Sequence, residues 1–183
     1  MKKAFDSAHL DIPAFAQAGA ELEDEARLQD FPRLMEETGG QGADRAVGWV
    51  VRGEWRSVAG GAAQAWLHLS GDTVLPLVCQ RCLEIADIAV GFEQIFRFVA
   101  DEATAEAEDD ASDEDLLVTS RDFSLHDLVE DELIMALPAV PTHDVCPTPV
   151  KLAVQDAAFD AAMDEKPHPF AALANLQKPE SDR

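Results

Sequence analysis

From residue 88 to residue 98 the chain alternates: Ile88, Val90, Phe92, Phe96 and Phe98 share one parity, and Glu93 and Arg97 fall on the other. A period of two sends successive side chains to opposite faces, so the segment predicts a strand with one face buried and one wet. Upstream, residues 45–55, 61–71 and 72–79 are short runs rich in valine, tryptophan and leucine, punctuated by Gly53, Gly60, Gly61 and Gly71. Turn residues at that spacing predict antiparallel strands joined locally. Pro76 has no amide to donate, so the third run is expected to be an edge or to bend there.

The period becomes helical in FSLHDLVEDELIMALP, where Leu125, Leu128, Val129, Leu133, Ala136 and Leu137 recur at helical spacing. Ser124 with Asp127 three residues on supplies the start signal and Pro138 the stop. Phe15, Leu22, Ala26 and Leu28 predict a helix over residues 14–30 that stops before Pro32, and a weaker alanine-rich helix is expected over about 151–165. The fold class this implies is α+β: an antiparallel β meander or partly open barrel flanked by helices. The expected organisation is an N-terminal helical segment over 1–44, an α+β domain over 45–165 and a flexible C-terminal tail over 166–183.

Charge alters the picture more than size does. The 183 residues carry 36 acids against 14 bases, a formal charge of -22. Such a chain repels polyphosphate through the term that supplies most nucleic-acid affinity, and attracts basic proteins through the same term. The imbalance is lopsided, with net -5 before Cys79 and net -17 from there on. Residues 101–115 hold nine acids, no base and no bulky apolar side chain, and are expected to form a flexible acidic loop. No apolar run has the length of a signal peptide or a membrane span, so a cytoplasmic protein is expected.

Motifs for catalysis are missing: there is no GxSxG, P-loop, dinucleotide fingerprint or HExxH, and the five histidines are scattered. The reading is a binding protein and not an enzyme. The cysteines are more specific. Cys79 and Cys82 form a CxxC pair at the hairpin between the third and fourth strands, and His143 with Cys146 repeats the spacing as HxxC in the proline-stiffened stretch VPTHDVCPTPV. Four soft or borderline donors suit a structural zinc ion. Reduced thiols packed on a hairpin are the alternative, and thioredoxin-like exchange is disfavoured because the pair is followed by another strand and does not open a helix.

Three stretches in order, LVCQRCLE around the CxxC pair, LVEDELIMALPAVPTHDVC at 128–146 and KPHPFAALANLQK at 166–178, resemble the YceD family of bacteria, and the resemblance runs from about 45 to 178. It implies a role in the synthesis, processing or stability of 23S ribosomal RNA, no known catalytic residues, and a genomic neighbour that encodes a small basic ribosomal protein. Some relatives carry a second cysteine-rich pair after the helix, where this chain has His143 and Cys146. The combined expectation is a ribosome biogenesis factor that holds a basic ribosomal protein or large-subunit assembly factor, contacting rRNA only indirectly. Its electrostatic surface would be residues 101–115 with Asp127, Glu130 and Asp131, and its apolar anchor Phe170, Leu173 and Leu176. The rival expectation is direct RNA binding or processing through Arg52, Arg56, Arg81 and Arg97 on the sheet.

Overall fold

The computed structural model describes residues 5–57 and 62–149. Contacts divide the chain into two units, Met1–Pro147 and Thr148–Arg183. The helix expected over about 151–165 and the anchor Phe170, Leu173 and Leu176 lie outside the described residues.

The first unit is α+β, as the hydrophobic pattern predicts. Strands β1 (Glu21–Arg27), β2 (Ala46–Ser57), β3 (Ala63–Val78), β4 (Ile85–Val99) and β5 (Asp115–Val118) stand side by side in chain order. The first four form an antiparallel meander, whereas β5 pairs parallel to β4, so the sheet is mixed and does not close. Helices α1 (Ile12–Gln17), α2 (Pro32–Glu37) and α4 (Leu125–Met135) contribute to the core, and α3 (Glu102–Glu108) links β4 to β5. No helix among the described residues is long and apolar enough to cross a membrane.

The buried face gathers alternate residues of the long strands: Val47, Trp49 and Val51 from β2, Leu67, Leu69 and Leu75 from β3, and Val90, Phe96 and Phe98 from β4. Phe15, Phe31, Leu34, Leu125, Val129 and Leu133 complete the core, each with no more than a trace of surface left. Full burial of one such side chain contributes about 2 kcal/mol, so this cluster is what holds the helices to the sheet.

Three expectations are corrected. Residues 21–27 are a strand and not the second half of a helix. Gly19 has φ +53, which ends α1, and ELEDEAR then pairs residue by residue with Arg52–Ala46 of β2. Its own alternation sets Leu22 and Ala26, both half-buried, against exposed Glu21, Glu23 and Glu25. Residues 63–78 are one strand, not two with a turn at Gly71. A Cβ at Gly71 would lie 2.8 Å from the Phe92 ring and 3.2 Å from the Gly48 carbonyl oxygen, so close packing and not a turn requires glycine there. The edge expected at Pro76 is real: β2 does not extend opposite it, so no neighbour asks for the amide it lacks.

The third correction is the acidic segment 101–115, which is structured. Asp101 caps α3, its carboxylate accepting from the Thr104 amide at 2.8 Å, and the Arg97 guanidinium donates to Glu108 at 2.7 Å. The chain then enters β5 at Asp115. Charge repulsion within the insert is offset by one half-buried arginine on the neighbouring strand and by the favourable end of a helix dipole.

Gly53 marks where α1 sits on the sheet. A Cβ there would approach the Phe15 ring to 2.6 Å and the Ala16 Cα to 2.9 Å, and the backbone of Ala16 cannot swing away as a side-chain tip could. Gly53→Ala is expected to cost about 2–3 kcal/mol, measured by urea unfolding, whereas the same change at Gly48, with open space around its Cβ position, should cost less than about 1 kcal/mol.

Candidate metal centre

The turn between β3 and β4 is folded to aim two sulfurs the same way. The Cys79 amide donates to the Glu84 carbonyl at 2.9 Å and the Leu83 amide to the Cys79 carbonyl at 2.9 Å. Leu83 takes φ 62, the left-handed turn that lets the backbone curl around Cys79 and Cys82. After α4, Pro138, Pro141 and Pro147 forbid helix and interior strand, and the extended connector runs back across this knuckle. Gln80 fixes its approach by donating its amide to the Pro141 carbonyl at 2.9 Å, and the Arg81 guanidinium donates to the carbonyls of His143 and Asp144.

The result brings the Cys79, Cys82 and Cys146 sulfurs and a His143 ring nitrogen within 4.8 Å of one another. Cys79 Sγ stands 3.9 Å from Cys146 Sγ, and Cys82 Sγ 3.4 Å from His143 Nδ1. A tetrahedral zinc ion with sulfur at about 2.3 Å and nitrogen at about 2.05 Å has edges of about 3.8 Å between sulfurs and about 3.6 Å between sulfur and nitrogen. Both observed separations fit within a few tenths of an ångström. The histidine is oriented for the task, because its Nε2 lies 3.0 Å from the Ile85 carbonyl oxygen. An Nε2–H donated there leaves the Nδ1 lone pair facing the sulfurs, the outer support that metal-binding histidines generally have.

The thiols are tuned in opposite senses. Burial pushes Cys79 up, but the amides of Cys82, His143 and Arg81 and the His143 side chain outweigh it and bring the thiol down to about 5. Burial and the neighbouring sulfurs of Cys82 and Cys79 push Cys146 up to about 11. Between these two thiols negative charge thus settles on Cys79, and a divalent cation is what would let Cys146 ionise beside it. Cys79 is fully buried and Cys82 and Cys146 half-buried, with no disulfide between them. These four residues could hold a metal ion.

The proposed acidic face of α4 is corrected in one place. Asp127 and Asp131 are exposed, but Glu130 is buried, 3% accessible. Its carboxylate accepts from the Arg33 amide at 2.7 Å, the Leu34 amide at 3.2 Å and Arg33 Nε at 2.9 Å, so it caps the start of α2 from another helix. Asp131 also pairs with Arg33. No sequence signal links positions 33 and 130, because each belongs to a separate amphipathic segment and only packing joins them. Of the four arginines expected on the sheet, Arg81 lies instead in the β3–β4 turn, where the connector engages it, while Arg56 is paired with Glu54 at 2.7 Å and Arg97 with Glu108 at 2.7 Å. Hydrogen bonds from Arg56 and then His68 hold the Glu54 carboxyl down to about 2, so it stays charged beside Arg56. Arg52 lies directly across from Glu21.

Over 110 residues the chain is 36% identical to the large ribosomal RNA subunit accumulation protein YceD of Haemophilus influenzae, a match that covers 56% of this chain and 59% of that protein. The matched part is therefore less than two thirds of that relative's length. No solved structure matches the chain. The model of the family described as large ribosomal RNA subunit accumulation protein YceD matches residues 67–177, well over half of the sequence, and the chain belongs to that family.

Proposed function

We propose that this protein is a ribosome biogenesis factor that supports large-subunit ribosomal RNA by binding a basic ribosomal protein or assembly factor, with a structural zinc ion in the Cys79, Cys82, His143 and Cys146 site. Family membership supplies the pathway. The observation that carries the mechanism is the distribution of charge: Arg56 and Arg97 are paired with carboxylates and Arg81 is held by carbonyls, while Glu21, Glu23, Glu25, Asp72 and Glu93 stand exposed on the sheet and Glu102, Glu106, Asp109 and Asp110 on the segment after it. Arginines already paired with carboxylates, as Arg56 and Arg97 are, release few counterions from RNA, whereas exposed carboxylates speed encounter with a cationic protein within the roughly 8 Å screening length at physiological salt. Zinc ties the connector to the β3–β4 turn and so fixes where the chain leaves α4; its part is structural.

Pull-down with the purified chain at graded salt tests this reading. Basic large-subunit proteins should be retained at low salt and lost steeply as salt rises, with purified rRNA fragments not retained at any salt. Direct retention of rRNA with no retention of basic proteins overturns it in favour of an arginine-based RNA contact.

A further inference from the structure

Every second residue of β4 turns its backbone away from β3. The Cys79–Glu84 hydrogen bond at the turn sets this register, so even-numbered residues of β4 bond to β3 and odd-numbered ones face outward. At the two ends the outward groups are used: the Ile85 carbonyl accepts from His143 Nε2 at 3.0 Å, and the Val99 carbonyl from the Thr119 amide at 2.8 Å. β5 pairs only with Phe96–Val99. Between these ends the amides and carbonyls of Asp87, Ala89, Gly91 and Glu93 have no backbone partner among the described residues. A groove of about 860 Å³ lies along the first part of this edge, walled on the other side by connector residues 142–145.

An open edge of this length is a template for an added strand. Its charge decides which strand. Asp87 and Glu93 lie on the edge itself, Asp144 at one end and Glu114 and Asp115 at the other; of the nearby cations, Arg45 is bound to Asp87 at 2.5 Å and Arg81 is held by the carbonyls of His143 and Asp144, so carboxylates outnumber them along the edge. A second copy of this chain, at -22, is repelled by those carboxylates, whereas a lysine- or arginine-rich strand meets them with opposite charge. We propose that the open edge of β4 over residues 87–93 takes up an extended cationic segment of a protein partner as an added strand, main-chain hydrogen bonds supplying affinity and the flanking carboxylates selecting basic sequence. This rests on the proposed function and names the surface it would use.

Ala89→Pro separates docking from folding, because the amide it removes faces away from β3 and proline is tolerated at such an edge position. The probe is a nine-residue peptide alternating lysine and valine, compared with its glutamate counterpart and with a version N-methylated at alternate residues. The full chain should bind the lysine peptide, with the Ala89→Pro chain at least tenfold weaker at unchanged melting temperature; the N-methylated peptide should lose as much and the glutamate peptide should not bind. Amide exchange in the free full chain should be fast at Ala89, Gly91 and Glu93 and should slow when the lysine peptide is added. Equal binding by the proline variant overturns the proposal, as does equal binding of the N-methylated or glutamate peptide. Protection of those amides in the free chain also overturns it: if concentration-independent, the chain's own residues 150–183 fill the edge, and if concentration-dependent, a second copy does. If basic large-subunit proteins bind the proline variant unchanged, the edge assignment fails while the functional reading stands. If the lysine peptide docks but no ribosomal protein is retained, the functional reading fails and the edge survives.

Discussion

Cys82→Ser is expected to abolish zinc binding and lower the stability of the fold by about 4 kcal/mol. The magnitude follows from the loop that the site closes: Cys82 and His143 are 61 residues apart, and a cross-link spanning about 60 residues removes about 4 kcal/mol of unfolded-chain entropy. In a domain of this size that is a fall in melting temperature of roughly 8–16 °C. A chelator should produce the same fall in the parent chain and almost none in the variant, since both remove one cross-link. The sheet should persist, because its core of Leu67, Leu69, Phe96 and Phe98 owes nothing to the site. Equal melting temperatures with and without chelator, together with a zinc content near zero, would contradict the assignment and leave three reduced thiols on a hairpin.

Glu130→Ala is expected to cost about 3 kcal/mol, and the exposed neighbour Asp131→Ala about 0.5 kcal/mol or less, when the two are compared by urea unfolding. The difference lies in what each carboxylate leaves behind. Phe31 offers no side-chain cap to α2, so loss of the Glu130 carboxylate strands the amides of Arg33 and Leu34 and one face of the Arg33 guanidinium. Asp131 is 53% exposed, and water replaces it. In the double variant Arg33→Ala with Glu130→Ala the costs should not add, because the first change already removes part of what the second strands. Equal small effects at positions 130 and 131 would mean that both belong to a solvated face, as the helical periodicity alone suggests.

That case shows what the sequence makes legible. Strand β4 and helix α4 were readable because local pattern and tertiary role coincide: Ile88 to Phe98 alternate toward one core, and Ser124 begins the helix whose apolar stripe fills it. Residues 21–27 were not, since their strand exists only because β2 presents an edge to Leu22 and Ala26, and acid-rich ELEDEAR suits a helix equally well on its own. Gly71 reads as a turn because glycine's freedom is the commoner reason for its use, yet here the ring of Phe92 is the cause. The acidic insert reads as disordered by composition, and its order depends on Arg97 reaching Glu108 from the neighbouring strand. The four candidate ligands were legible for the opposite reason. Cysteine is so sparse in this chain that matched spacings left few ways to assemble a tetrahedral set, and the connector had to pass the turn for the set to form.

In the proposed function this acidic body meets cationic polypeptide and not bare nucleic acid. A photoreactive residue in place of Glu93, irradiated in living cells, would record what touches the sheet there. Covalent adducts with a basic large-subunit protein or assembly factor are expected, reduced when ionic strength is raised in lysate. Adducts consisting of ribosomal RNA alone, with no protein joined to the chain, would contradict the proposed function.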